Sequence, residues 1–123
     1  MSITRLVLVA YRPKPGKDEV LLSELRDHVQ LLRSEGLAAD RLPVVMRAKD
    51  GTLIEMFEWA SPAAMEEAHG NPRVQAMWAR FAACCDYAPL NTLAETADLF
   101  AAFEPVHIQL APIVQPDVDK RAE

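Results

Sequence analysis

His69 is the side chain whose type and position best suit acid–base chemistry. It lies between one predicted helix that ends at His69-Gly70 and another that begins at Asn71-Pro72. Because the pKa of an unperturbed imidazole lies near neutrality, a histidine here can act as a general base or hydrogen-bond a substrate oxygen. The structural alternative, which we favour, is that the ring caps the last carbonyls of the first helix, where a cation is stabilised.

The other two histidines are weaker candidates for acid–base chemistry. His28 flanks the apolar stripe of the first predicted helix, and we interpret it as a core-edge residue with a satisfied ring. His107 follows Pro105 on a predicted edge strand and is expected to be exposed.

Glu55 and Glu58 are weaker candidates for the base. They lie three residues apart on one predicted strand, so their side chains point to opposite faces of the sheet. If both faces are covered, at least one carboxylate approaches an apolar space, and such surroundings make a carboxyl group more basic. The alternative, which we favour, is a cross-strand ion pair with Arg47.

Aromatic and soft side chains could line a ligand site between these groups. Rings stack on planar ligands, and methionine adapts to varied shapes. The same residues also suit an ordinary core, which is the more frequent case. The candidate lining residues are Tyr11, Met46, Phe57, Trp59 and Trp78.

No metal or cofactor is expected. The only cysteines, Cys84 and Cys85, are adjacent and are interpreted as packing residues. The sequence contains no CxxC, no HExxH and no cluster of cysteine and histidine with zinc spacing.

The elements that must position these residues predict an α+β fold. Branched residues from Ile3 to Tyr11 predict a strand, and Lys17 to Glu35 has helical spacing, with Leu22, Leu25, Val29 and Leu32 as its stripe, before a stop at Gly36. An Asp-Gly turn predicts a hairpin between Val44–Arg47 and Thr52–Trp59. Two helix starts, Ser61-Pro62 and Asn71-Pro72, predict a broken second helix that ends at Cys85.

The end of the chain is less regular. Thr92 and Glu95 fit a capping box for a helical piece from Leu93 to Ala101, and residues 103–110 form a last strand confined by Pro105 to an edge. The predicted order is therefore the ferredoxin-like βαββαβ, with a four-stranded antiparallel sheet and both helices on one face. We assign residues 1–111 to this domain and 112–123 to a loose tail.

The uncovered face of the sheet predicts a second copy of the chain. The first strand is apolar on both faces, whereas a face open to water should alternate to polar residues. Four average strands present about 350 Å² on that face, near the upper limit for a monomer. We therefore expect a homodimer through the open face, unless a ligand covers it.

Composition narrows the class of partner. The 123 residues carry a net charge of −5, and no run of Lys and Arg exceeds two, which argues against nucleic acid. No apolar stretch approaches the ~20 residues that cross a bilayer, so no membrane partner is expected. Two reduced thiols without an export signal are typical of a cytoplasmic protein.

Two segments resemble the antibiotic-biosynthesis-monooxygenase-like (ABM-like) branch of the dimeric α/β-barrel superfamily. These are VLVAYRPKPGKDEVLLSEL and DGTLIEMFEWASPAAMEEAHGNPRVQAMW, and the likeness covers roughly residues 3–106. The resemblance implies a homodimeric barrel with a pocket between each sheet and its helices. Characterised relatives include cofactor-free oxygenases of aromatic polyketides or quinols, and haem-degrading enzymes. The haem-degrading pattern fits less well, because the first strand ends without an asparagine and residues 72–85 contain no histidine.

Three functions follow from these observations. The first is a cofactor-independent monooxygenase acting on a small aromatic or quinol-type compound, with a base such as His69 or a glutamate. The alternatives are a binding module for a small apolar compound and a purely structural homodimer. A cavity of ~300 Å³ or more that touches His69 would keep the first two, whereas a closed core would leave only the third.

Overall fold

One antiparallel sheet and three helices make up the fold. The computed structural model describes residues 3–113, and all statements about structure refer to them. In chain order the elements are β1 (Arg5–Pro13), α1 (Asp18–Ser34), β2 (Val44–Arg47), β3 (Leu53–Trp59), α2 (Ala64–His69), α3 (Pro72–Cys84), β4 (Cys85–Ala88), the 3₁₀ turns Leu90–Thr92 and Ala94–Ala97, and β5 (Glu104–Val106). The strands lie side by side in the order β4-β1-β3-β2-β5. The predicted α+β class is confirmed, and the order is consistent with a ferredoxin-like arrangement.

The predicted number of four strands is wrong for the described chain, which has five. The predicted second helix includes Cys85. In the structure Cys85 has the backbone angles of a strand (φ −153°, ψ 168°) and begins β4. That strand pairs with β1, from Ala10 opposite Ala88 to Pro13 opposite Cys85. The predicted last strand is shorter in the structure, where it forms β5. This strand lies beside β2 at the edge of the sheet opposite β4, as expected for a strand that contains Pro105.

The β2–β3 hairpin confirms the strongest local prediction. Its turn includes Gly51 at φ +92°, a conformation that favours glycine. The Thr52 N–H donates a hydrogen bond to Asp50 Oδ1 at 2.9 Å, which holds the turn from within.

The helices begin and end largely where the sequence indicates. Gly36, at φ +74°, follows the end of α1, and the side chain of Asn71 accepts from the first N–H groups of α3. The predicted helix start at Ser61-Pro62, with the Ser61 hydroxyl as N-cap, is wrong, because α2 begins at Ala64 and no side chain caps it. The break between α2 and α3 at Gly70 is confirmed.

The helices cover one face of the sheet, and we call it the helix face. The buried side of α1 differs by one position from the predicted stripe, since Leu21 and His28 are buried while Leu22 is only half-buried. Alternation along β1 and β3 sends every second side chain to this face. The core there comprises Tyr11, Leu21, Leu25, Val29, Leu32, Phe57, Val74, Met77 and Phe81, with others.

The opposite, open face is partly covered by the segment that follows β4, residues 89–103. Leu93 from this segment packs with Ala10, Ala48 and Ile54, joined by half-buried Leu90 and Phe103. The predicted capping box is wrong: Glu95 instead accepts a hydrogen bond from the backbone N–H of Lys49 at 2.8 Å. The rest of the open face keeps large apolar residues in solvent, namely Leu6, Leu8 and Val44.

The last described residues lie against α1. The N–H of Ala111 donates to the carbonyl of Arg26, and the Gln30 side chain donates to the carbonyl of Ala111. Most of the predicted tail, 114–123, lies outside the described residues. Between residues 3 and 113, none of the helices has the length and apolarity to span a bilayer.

Candidate active site

A cavity of about 300 Å³ lies between the helix face of the sheet and the helices α2 and α3. This volume is at the lower end of the range for small-molecule sites and matches the size that the binding and enzyme hypotheses require. Its walls are nearly all aromatic or apolar. The lining residues are Val9, Tyr11, His28, Phe57, Trp59, Met65, His69, Trp78 and Tyr87.

The alternation of the strands explains why these residues meet. Tyr11 of β1 lies opposite Tyr87 of β4 in the register, so both point to the helix face. Phe57 and Trp59 are two apart on β3, and their rings contact edge to face at 5.1 Å. Trp78 contributes a ring to the lining from α3.

Five of the predicted site residues line the cavity: Tyr11, Phe57, Trp59, His69 and Trp78. Met46 does not, because its register partner is Ile54 and both belong to the open face. The structure therefore brings together one base candidate and four of the five predicted lining residues.

His69 lies at the mouth of the cavity and is exposed. Its ring contacts the Trp78 ring edge to face at 5.0 Å, and its backbone carbonyl accepts a hydrogen bond from Gln75. Among the described hydrogen bonds, none joins the ring to a carbonyl of α2, so the capping interpretation gains no support.

Glu58 lies on the open face, away from the cavity. It accepts hydrogen bonds from the Thr4 hydroxyl at 2.7 Å and from Arg41 Nε at 3.2 Å. Both bonds lower the pKa of Glu58, and the bond from Thr4 has the larger effect. The predicted partner Arg47 is wrong for both glutamates, because Arg47 pairs instead with Glu104 on β5 at 3.1 Å.

Glu55 is fully buried on the helix face, behind the cavity wall. Its Oε1 accepts a hydrogen bond from the Tyr11 hydroxyl at 2.8 Å and lies 2.7 Å from His28 Nδ1. Its second oxygen, Oε2, is buried without a partner among the described residues. Three polar side chains thus form one hydrogen-bonded group at the back of the cavity.

The predicted satisfied ring of His28 is confirmed, but its place in the lining of the cavity was not predicted. It is 4 % exposed, lines the cavity, and packs against Phe57 and Phe81 with ring centroids 5.1 Å away in each case. The sequence contains a pattern that could have predicted a buried His28. Helical spacing of three and four also joins Leu21, Leu25, His28 and Leu32. A histidine on a buried stripe requires a polar partner, and Glu55 supplies it.

The two tyrosines of the cavity are held in the neutral form. Burial, followed by the nearby Glu55 carboxylate, raises the pKa of Tyr11 well above its ordinary value. Partial desolvation raises the pKa of Tyr87 to about 12, but this residue is 55 % exposed, so the effect is expected to be weaker than for Tyr11. At neutral pH both are therefore hydrogen-bond donors rather than bases.

The remaining groups near the cavity offer little further chemistry. Burial raises the pKa of the Cys85 thiol to about 12, which suits the predicted packing role. Across residues 3–113 no three side chains of His, Cys, Asp and Glu converge as a metal site would need. A second groove of about 390 Å³ lies at the β2–β5 edge, but its lining is mostly aliphatic and includes only one titratable side chain, His107. We therefore place the candidate site in the aromatic cavity.

Protein family models, curated proteins and solved structures give no match to this chain. The resemblance to the ABM-like branch thus stays a prediction from sequence motifs.

Proposed function

We propose that this protein is a cofactor-independent monooxygenase that oxidises a small aromatic or quinol-type compound in the aromatic cavity. The observation that carries the proposal is a buried histidine, bonded to a buried carboxylate, in the wall of a space that is otherwise aromatic and apolar. An apolar ligand site with few placed polar groups is the usual form of a small-molecule pocket.

The walls favour a flat ligand. Phe57, Trp59 and Trp78 offer ring faces and edges, and the Met65 side chain at the mouth can adapt to different outlines. A compound of two fused rings is of a size that the volume of about 300 Å³ accepts.

Such a site can activate a phenol toward dioxygen. A base removes the phenolic proton, and the electron pair stays on the ring as a phenolate. The phenolate gives one electron to dioxygen, and the superoxide and ring radical combine into a C–O bond. The resulting peroxide anion takes back the proton and becomes a hydroperoxide, which then loses a ring C–H proton and hydroxide as water to leave a carbonyl. For the keto tautomer the sum is R₂CH₂ + O₂ → R₂C=O + H₂O, which needs no other reductant.

The cavity supports this chemistry by limiting water. Tyr11, His28 and Glu55 are almost entirely buried, so a charge that forms there is poorly screened and responds strongly to its neighbours. Two groups in the lining can accept a proton, the buried His28 and the exposed His69.

The proposed working form is a homodimer joined through the open faces of two sheets, as the ABM-like resemblance implies. Leu8 and Val44 both lie opposite Met56 in the register, so an apolar row crosses three strands. Leu8 and Val44 are exposed, and burying such a row against a second copy is favourable. The segment 89–103 covers only part of this face.

A non-catalytic binding protein is the alternative that the same cavity favours. It would use the aromatic walls and the His28 hydrogen bond without turnover. The two are separated by whether a bound phenol consumes oxygen.

The experiment uses the intrinsic fluorescence of the protein. Both tryptophans of the chain, Trp59 and Trp78, line the cavity, so quenching by 2-naphthol reports on that site. We expect saturable quenching in the wild type, and oxygen uptake with at least one member of a panel of monocyclic to tricyclic quinols.

The matched variants are Met65→Tyr at the cavity mouth and Leu42→Tyr in the β2–β5 groove. Both replace an exposed apolar residue with the same larger one, and neither adds a tryptophan. Met65→Tyr should abolish quenching and oxygen uptake, whereas Leu42→Tyr should leave both unchanged. Saturable binding without oxygen uptake would overturn the enzyme and leave the binding protein, and unsaturable quenching would overturn both.

A further inference from the structure

We infer that His28 is the base of this site, with its Nε2 atom as the proton acceptor, and that Glu55 and Tyr11 position it. The inference deepens the proposed function and rests on it for the identity of the reaction. Its geometric part concerns where one proton lies and can be tested without turnover.

The position of that proton follows from the hydrogen bonds of Glu55. An ionised carboxylate only accepts hydrogen bonds, and Oε1 lies 2.7 Å from His28 Nδ1. With Glu55 ionised, Nδ1 carries the hydrogen of this bond. In a neutral imidazole the other nitrogen, Nε2, then holds a lone pair.

Nε2 is the free end of the ring. It has no hydrogen-bond partner among the described residues, and it is absent from the atoms that are both buried and unpaired. His28 lines the cavity with 4 % of its surface exposed, and the proposal requires this exposed part to include Nε2. A phenolic O–H of a ligand can donate to this lone pair, and the proton moves to Nε2 while the electron pair remains on oxygen.

Glu55 and Tyr11 fix the ring from behind. The carboxylate compensates the positive charge that forms when Nε2 takes a proton, and the Tyr11 hydroxyl, 2.8 Å from Oε1, holds the carboxylate in place. Within the described chain Glu55 makes no ion pair with lysine or arginine, so His28 is its basic partner there.

The other polar groups of the cavity and of α3 do not compete for the ring. Tyr87 lies at the cavity edge on β4, and His69 lies across the mouth on α2. The arginines of α3, Arg73 and Arg80, pair with Glu35 and Glu24 instead.

His69 lacks these features. It is exposed, contacts Trp78, and has no carboxylate partner among the described residues. In that setting the His69 ring can shape the mouth, but it has no buried carboxylate behind it as His28 has.

The first test is nuclear magnetic resonance of the imidazole nitrogens at pH 8. The chain has three histidines, so three ring systems are observed, and His28→Gln and His107→Gln identify two of them. We expect His28 to carry its proton on Nδ1, and 2-naphthol to shift its Nε2 resonance. A proton on Nε2 in the free protein, or a naphthol-induced shift at His69 with none at His28, would overturn the inference.

The second test separates positioning from binding. Glu55→Gln keeps the shape but removes the charge, so kcat for a quinol that the wild type oxidises should fall at least about 100-fold, whereas the dissociation constant of 2-naphthol changes less than about threefold. His28→Gln should lose activity to a similar degree, and His107→Gln, at the β2–β5 groove, should retain it. An active His28→Gln variant would contradict the assignment of His28 as the base. If no quinol is oxidised by the wild type, the proposed function fails, and the nitrogen spectra alone decide this inference.

Discussion

Glu55 and Glu58 stand three residues apart on β3, and the two faces of the sheet treat them in opposite ways. On the helix face, Glu55 is fully buried, and its bonded oxygen is shared by a tyrosine and a histidine. On the open face, Glu58 is bonded to Thr4 and Arg41 near solvent.

The contrast extends to how each face is covered. Two long helices and the short α2 close the helix face and leave one aromatic cavity, whereas residues 89–103 cover only part of the open face. The difference shows that the polar groups of the helix face are enclosed by packing, while those of the open face remain in contact with water. An enclosed carboxylate strongly influences its neighbours, and an exposed one is screened.

The largest effect is expected from the core of the helix face. Phe81 is fully buried, and its ring lies 5.2 Å from that of Tyr11 and 5.1 Å from that of His28. Phe81→Ala should lower the free energy of unfolding by about 4 kcal/mol, because it leaves a void behind the polar group. Urea denaturation measures it. The corresponding change on the open face, Met56→Ala, should lower the free energy of unfolding by only about 1 kcal/mol. Equal losses for the two variants would contradict the difference between the two faces.

The next effect concerns the association of the open face. Leu8→Glu should raise the dimer dissociation constant at least about 100-fold, because each interface would bury an unpaired carboxylate from both copies. Sedimentation equilibrium measures this. Val20→Glu is the control on α1, since Val20 (46 % exposed) and Leu8 (49 % exposed) are similarly accessible. A wild-type protein that stays monomeric at micromolar concentration would contradict the proposed dimer.

A smaller effect tests the partial cover of the open face. Leu93 is buried against Ala10, Ala48 and Ile54, so Leu93→Ala should lower the free energy of unfolding by about 2 kcal/mol. The control Leu99→Ala, at an almost fully exposed residue, should change nothing measurable. If both variants unfold like the wild type, the segment 89–103 does not stabilise the fold.

The smallest effect is spectroscopic and concerns the helix face alone. The only two tyrosines of the chain, Tyr11 and Tyr87, both have a raised pKa, mainly through burial. Ultraviolet titration should therefore show no tyrosinate below about pH 11 in the folded protein, whereas the chain in urea titrates near pH 10. Because the folded pKa values are the higher ones, stability is complete below pH 10 and falls as the pH rises above it. Ionisation of Tyr11 near pH 10 in the folded protein would contradict its burial beside Glu55.

Local signals predicted the hairpin and the start of α3 well. The Asp-Gly turn and the Asn71-Pro72 cap each act through atoms a few residues apart, so no distant contact is needed. Alternation similarly grouped Tyr11, Phe57 and Trp59, because the period of a strand is fixed by its backbone.

Pairing partners were harder to predict. Met46 was grouped with the lining residues, but its side chain follows the register that sets it opposite Ile54. Arg47 was assigned to a glutamate of β3, but β5 brings Glu104 beside it. Both outcomes depend on contacts between segments far apart in the chain.

Periodicity and short-range turns were enough to predict the α+β class, the order of the first elements and most of the aromatic lining. Long-range packing and strand pairing, in contrast, make Cys85–Ala88 a strand and bring His28, Tyr11 and Glu55 into one buried group. Helical spacing left two positions for the stripe of α1, and packing against the sheet selected the one that buries His28. A buried imidazole is stable only beside a partner, and that partner comes from a strand 27 residues further along the chain.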